Sequence, residues 1–308
     1  LLFNIMFTEL NKVSSRFTIK DLENLSGIQA HTIRIWEKRY NILEPYRTDT
    51  NIRYYDLSGL QKLLNVTLLY NSGMKISKIA KFTEEELHKT VREQVSVGRG
   101  EEQYMGSLIL AMLNFDQAQF EFIFNRMTAE TSFRRIFLDV LVPLLHKLGL
   151  DWQSDNINPA HEHFISNLIK QKLLINTERV QQTTPVMKDR VFVLFLPENE
   201  IHEFGLLFIH YELILKGYRS IFLGQSIPME NLKAIQQVYD NIHFVGYFTV
   251  QPWKEEVAGY LEEFHRTLLK EGHDELWILG RNTVDAHIPN GLDRIKKFNG
   301  LEDLLAKI

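Results

Sequence analysis

Apolar residues recur at helical spacing in the first 82 residues and again from 102 to 182, then switch to short continuous runs from about residue 190. Ile19, Leu22 and Leu25 mark one face of a short helix that Thr18 can cap and Ser26-Gly27 ends. A second helix follows, carrying Thr32, Arg34, Lys38 and Arg39, and the segment after Pro45 reads as a short extended hairpin. From Leu57 to Leu69, Leu60, Leu63, Leu64 and Leu68 form one stripe, Ser72-Gly73 closes that helix, and Met74 to Phe82 begins another. The acidic and polar stretch 83–101, with Gly98 and Gly100, reads as a linker.

Residues 102–182 hold four amphipathic stretches: Met105, Leu108, Ile109, Met112 and Leu113 in the first, Phe115 to Met127, Phe133 to Leu150, and Pro159 to Val180. Four such helices predict a four-helix bundle. Val191 to Leu196 is a continuous apolar run, the pattern of a buried parallel strand. Further strands are expected at Ser220–Leu223, His243–Thr249, Leu276–Leu279 and Arg294–Phe298, with helices at Gly205–Lys216, Met229–Tyr239, Glu255–Glu271 and Leu301–Ile308. This alternation predicts a doubly wound parallel sheet of Rossmann-like or flavodoxin-like type. The expected organisation is an N-terminal extension (1–16), a winged helix-turn-helix (17–82), a linker (83–101), a helical bundle (102–182) and an α/β domain (190–308).

Charge sharpens this division. Residues 1–80 carry 11 Lys and Arg against 7 Asp and Glu, a net of +4, whereas the whole chain of 308 residues has a net of -4. A basic N-terminal segment on an acidic body suits a DNA-binding face joined to something else. A short helix, a Gly-containing turn and a polar, basic second helix form the plan of a helix-turn-helix, whose second helix reads the major groove. Thr32, Arg34, Lys38 and Arg39 are the groove and phosphate candidates, and Arg47, Asn51, Arg53 and Tyr54 the wing candidates. The Thr-Ile-Arg-x-Trp-Glu-x-Arg-Tyr run at 32–40, Pro-x-Arg at 45–47 and Arg-Tyr-Tyr at 53–55 resemble the MerR family of winged helix-turn-helix regulators. That resemblance implies a double-stranded operator as partner. The sustained heptads of a dimerisation helix are missing after the winged domain, so a homo-oligomer, dimer or tetramer, is expected to assemble through residues 102–308.

The loop after the first strand of the α/β region contains Glu200-x-His202-x-x-Gly205. It resembles the Asp-x-His-x-x-Gly motif of cobalamin-binding domains, with Glu where Asp is usual. The resemblance implies His202 as axial ligand to the cobalt of adenosyl- or methylcobalamin, Glu200 as its orienting partner and Gly205 as the point of close approach. Trp152, nine residues, then Glu162-His163 resemble the Trp-x9-Glu-His pattern of cobalamin-binding photoreceptor regulators of the CarH/LitR type. There the Trp caps the upper corrin face and the Glu-His pair lies near the adenosyl group. Two departures accompany these matches. Gln153 stands where those photoreceptors place a second cobalt-ligating His. On the third and fourth strands, Val245-Gly246-Tyr247-Phe248-Thr249 and Ile278-Leu279-Gly280-Arg281 put bulky residues where small ones line the slot for the nucleotide tail.

Other chemistries find little support. Cys is absent, which removes disulfides, Cys-ligated zinc and iron–sulfur clusters. No Gly-x-Gly-x-x-Gly follows the first strand, and no Ser nucleophile elbow is present. His161 and His163 are two apart and do not share a helix face. There is no run of 18 apolar residues and no signal-peptide pattern, so a cytoplasmic protein without membrane contact is expected. The leading expectation is a non-enzymatic DNA-binding transcriptional regulator with a cobalamin-type sensory half controlling oligomerisation. The alternative keeps the DNA-binding half and makes the C-terminal half a ligand-free oligomerisation or docking module. A corrinoid-carrying part of a methyltransferase is the enzymatic rival, disfavoured by the winged helix.

Overall fold

The first helix, α1 (Ile19–Ser26), begins with a reciprocal cap: the Thr18 hydroxyl accepts from the Asp21 amide at 3.3 Å, and the Asp21 carboxylate accepts from the Thr18 amide at 2.6 Å. Gly27 ends it in the left-handed region at φ 75°. A computed structural model describes residues 16–97, 100–152, 159–181, 185–270 and 272–308, so the expected N-terminal extension lies outside the described residues apart from Arg16. The chain packs as two units, residues 1–169 and 170–308.

In the first unit, α2 (Ala30–Tyr40) buries Ile33 and Trp36, and its cap residue Asn41 turns the chain into the wing. The wing is a two-stranded antiparallel ribbon, β1 (Tyr46–Arg47) and β2 (Arg53–Tyr54). A bridge between Phe17 and Tyr55 ties the wing's end to the start of α1. In α3 (Leu57–Asn71) the expected stripe of Leu60, Leu63, Leu64 and Leu68 is buried, but so are Val66, Thr67 and Leu69. Two further helices cover that second face: α5 (Glu84–Val97), after the short α4 (Ile76–Ile79), and α6 (Glu101–Leu113).

The stretch read as a linker is therefore largely helix. Leu87 and Val91, four apart, are its buried anchors. Its start carries the signature of a capping box: the Glu86 carboxylate accepts from the Thr83 amide at 2.8 Å, and the Thr83 hydroxyl from the Glu86 amide at 3.2 Å. The bundle follows as expected. It comprises α6, α7 (Gln117–Glu130), a third segment running through α8 (Phe133–Arg135), a π-helical stretch (Ile136–Leu141) and α9 (Val142–Trp152), and α10 (Pro159–Gln181).

The second unit holds a five-stranded, all-parallel sheet in the order β4-β3-β5-β6-β7, from β3 (Met187–Pro197), β4 (Tyr218–Ile227), β5 (Ile242–Tyr247), β6 (Glu275–Leu279) and β7 (Ile295–Lys297). On one face Val193, Phe195, Phe244 and Ile278 pack with Val257, Leu261 and Phe264 of α13 (Val257–Leu268). On the other lies α11 (Phe204–Leu215), buried from Leu206 to Leu213 and touching α14 (Leu301–Lys307). The helix expected at Met229–Tyr239 is instead a 3-10 turn (Met229–Leu232) and a single helical turn, α12 (Lys233–Gln236), because Leu232 is the one fully buried anchor in that stretch.

The chain leaves β3 for β4 on one side and returns to β5 on the other. The carboxyl ends of β3 and β5 therefore bound the topological switch point, where such sheets bind ligands. Among the described residues no helix is long and apolar enough to cross a membrane.

Candidate nucleic-acid interface and cofactor site

Helix α2 turns its apolar side inward and leaves Arg34, Lys38 and Arg39 exposed, with Thr32 half-buried beside them. Ile35, half exposed on the same side, was not singled out from sequence, although an apolar residue there can meet a thymine methyl. The wing is braced from within. The Arg47 guanidinium donates to the Asn51 side-chain oxygen at 2.7 Å, and Asn51 takes a left-handed turn at φ 64°. Tyr46 and Tyr54 stack at 5.4 Å, and the Arg16 guanidinium lies over the Tyr54 ring at 4.7 Å.

Glu37 joins wing and helix. Its carboxylate accepts from the Tyr55 hydroxyl and lies 3.8 Å from Arg53. Burial and then this carboxylate push the Tyr55 hydroxyl well above its usual pKa, so it stays a donor. Of the eight expected DNA-binding residues, Arg47, Asn51 and Arg53 are thus engaged within the protein, while Arg34, Lys38 and Arg39 stand on the open face of α2. The Glu of the Trp-Glu pair at 36–37 is a positioning residue that the sequence displayed without showing its partner.

In the second unit, Glu200 is fully buried at the switch point. One carboxylate oxygen accepts from the amides of Ile201 at 2.9 Å and His202 at 3.0 Å and from His202 Nδ1 at 2.5 Å. The other accepts from the amides of Thr249, Val250 and Gln251 at 3.0, 2.6 and 2.8 Å. These donors explain why β5 stops at Tyr247: the next amide, of Phe248, goes to the Leu279 carbonyl, and the following three go to Glu200.

Burial would raise the Glu200 pKa, but the His202 hydrogen bond and the backbone amides outweigh it and lower it to about 2. The carboxylate is therefore ionised, His202 Nδ1 carries the proton, and Nε2 is the nitrogen whose lone pair suits a metal. The His202 side chain is half exposed. The Glu in place of Asp does reach its imidazole, and its reach extends to the β5 loop as well.

Gly205 makes its close approach to a side chain of the neighbouring strand. A Cβ there would lie 2.3 Å from the Tyr247 ring, so Tyr247 fills the space that the glycine opens. Nearby, a Cβ on Gly246 would meet the Phe248 ring at 2.8 Å, and one on Gly280 the Phe248 carbonyl oxygen at 2.4 Å. Set against the demands of cobalamin, Glu200 and His202 fit axial ligation, whereas the region between α11 and β5 does not offer the nucleotide tail an open slot.

In the first unit, Trp152 is the last residue of α9, and Gln153 lies outside the described residues. Glu162 and His163 occupy the first turn of α10. Glu162 accepts from the Ser166 hydroxyl at 2.8 Å, and His163 is largely exposed, its Nδ1 3.8 Å from Glu162. His161 points the other way: it is buried and stacks on Phe115 at 4.5 Å, and burial lowers its pKa. His210 is also buried, with Nδ1 2.8 Å from the Ser220 hydroxyl, and burial lowers its pKa to about 4. Among the described residues no group of three or more His, Asp and Glu is arranged to hold a metal ion.

The Glu200 geometry predicts a pH-dependent contribution to stability. Its folded pKa of about 2 lies below the ordinary 4.5, so the contribution is full above about pH 5 and is lost as pH falls towards 2. Glu200→Gln is expected to lower stability by about 3 kcal/mol at pH 7, with the deficit shrinking in acid. Urea denaturation of both proteins at pH 7 and pH 4 measures this, and equal midpoints at pH 7 would contradict it.

Residues 17–86 match the MerR HTH family regulatory proteins, and residues 106–175, within the α6–α10 bundle, match the B12 binding domain. The HTH-type transcriptional repressor CarH of Myxococcus xanthus is 29% identical over 263 residues, covering 82% of this chain and 83% of its own. CarA of the same organism is 26% identical over 255 residues, covering 80% and 81%. Among solved structures, the Methanosarcina barkeri monomethylamine corrinoid protein aligns with a TM-score of 0.53 at 13% identity, covering 68% of this chain and 97% of its own, a likeness of fold. The chain thus joins a MerR HTH domain to a B12-binding domain and is homologous, over at least 80% of its length, to the CarH and CarA repressors.

Proposed function

We propose that this protein is a sequence-specific DNA-binding transcriptional regulator, acting as a repressor, whose C-terminal half is a corrinoid-type sensory module rather than an enzyme. The observation that carries the DNA-binding part is the exposed Arg34, Lys38 and Arg39 face of α2, with the wing pinned to that helix through Glu37. Two homologues named as repressors support the sign of regulation. Thr32, Arg34, Lys38 and Arg39 serve the major groove and its flanking phosphates. Arg47, Asn51, Arg53 and Tyr54 form the wing, with Arg53 also holding it to α2.

The sensory reading is supported by the B12-binding match and by His202, whose Nδ1 is held by a buried carboxylate. A cobalamin would be held by His202 with Glu200 behind it, and would supply a cobalt centre with exchangeable ligands. Trp152, Glu162 and His163 are proposed as further cofactor-binding residues. A ligand-free docking module is the second reading, favoured by the Tyr247 ring against Gly205.

Self-association through residues 102–308 completes the proposal, since α5 has 14 residues and is too short for the three or four heptads of a dimerising coiled coil. Light scattering on the full chain is expected to give a dimer or tetramer; a monomer at micromolar concentration would remove the assembly part.

On a fragment carrying the gene's own upstream region, Arg34→Ala is expected to weaken binding by about 1–3 kcal/mol and to relax base preference at one position of each half-site. Arg53→Ala should weaken binding more evenly across sequences. Gel shifts with point-mutated operators separate the two effects, and parent-like binding by both variants would overturn the interface assignment.

A further inference from the structure

The corrinoid end of the second unit is half built for cobalamin and half closed to it, and the two halves together specify a ligand. The half that is built is the imidazole and its surround. The buried Glu200 carboxylate holds His202 Nδ1 at 2.5 Å and the amides of Thr249, Val250 and Gln251. Asn282, in the loop after β6, donates from its side chain to the Val250 and Pro252 carbonyls at 2.9 and 3.0 Å. Lys254 and Asp285 pair at 2.7 Å between the same two loops. On these interlocked loops Ile201, Trp253 and Val284 are more than half exposed, at 61%, 55% and 55%. A half-exposed, oriented imidazole on tied loops that also expose apolar side chains suits the face of a metallomacrocycle whose polar periphery stays in solvent.

The closed half lies behind it. A complete cobalamin that accepts a protein imidazole must release its own lower base from cobalt and lodge the nucleotide tail elsewhere. The Tyr247 ring occupies the space over Gly205, and the Phe248 ring is fully buried against Gly246. Admitting the tail would require both rings to leave a close-packed position.

We infer that the site at His202 selects a corrinoid that lacks the nucleotide tail, a cobinamide-type ring, over complete cobalamin. The inference rests on the corrinoid-sensor reading and narrows its ligand. A cobinamide presents a cobalt with no internal base to displace and no tail to house, so His202 coordinates it without rearrangement of Tyr247 or Phe248.

The test uses the full-length chain, titrated separately with diaquacobinamide and aquacobalamin, with visible spectra and retention after desalting as readouts. Diaquacobinamide should be retained with the spectrum of an imidazole-ligated corrinoid, and His202→Ala should abolish that spectrum. Aquacobalamin should bind at least about tenfold more weakly. Tyr247→Ser, checked for folding by circular dichroism, should narrow that ratio by raising cobalamin affinity while leaving cobinamide affinity unchanged; Phe248→Leu should act in the same direction. Parent protein that binds aquacobalamin as tightly as the cobinamide overturns the inference and leaves the sensor reading standing. Retention of neither corrinoid overturns both, and a cobinamide spectrum unchanged by His202→Ala overturns the inference through its ligand.

Discussion

A single buried charge organises the second unit. The Glu200 carboxylate has no solvent contact, and a charge so placed is tolerated only when every lone pair is answered. Five backbone amides and one imidazole answer it. The answer dictates local structure on both sides of the switch point: the loop after β3 must curl back on its own carboxylate, and the chain after β5 must leave the sheet to offer three consecutive amides. The orientation of His202 follows from the same constraint. It is set by a group that cannot move without leaving several donors unsatisfied.

The first unit uses an acidic side chain in a comparable way. Glu37, whose side chain is 9% exposed, accepts from the Tyr55 hydroxyl and faces Arg53, so the last residues of the wing are fixed to the helix that the wing must flank. The basic side chains beside it remain exposed. In each unit, then, a carboxylate fixes geometry while the residues that would meet a ligand stand at the surface. The pins are Glu37 and Glu200, and Arg53 and His202 each link a pin to the surface.

Periodicity made most of the architecture legible. The α1 and α3 stripes, the four bundle helices and the five strands lie close to where apolar spacing puts them, because each buries an apolar face. Where the reading failed, the cause was local. Leu87 and Val91 give α5 too thin a stripe to stand out beside three successive glutamates, although the Thr83–Glu86 box announced a helix start. At Met229–Tyr239 one deeply buried leucine could not sustain a long helix. The site was legible as residue types and less so as contacts. Glu200 and His202 are hydrogen-bonded as the resemblance implies, but nothing in the sequence says that the same carboxylate binds the loop some 50 residues on.

Gly205 shows why a motif and the space it once signified must be judged separately. A glycine at the start of α11 is compatible with close approach of a ligand, and equally with close approach of a side chain from the neighbouring strand. Here the occupant is Tyr247, whose ring would overlap any Cβ at that position. Burial also raises its hydroxyl pKa, which keeps the ring neutral in its place. The glycine is therefore required by the chain's own packing whether or not a cofactor binds. Its presence cannot by itself count towards a cofactor; the imidazole carries more, because its Nδ1 answers the buried carboxylate while the rest of the ring is half exposed. The oriented imidazole of His202 and the packing of Tyr247 against Gly205 are independent features of this end of the sheet, so a substitution at one leaves the other in place.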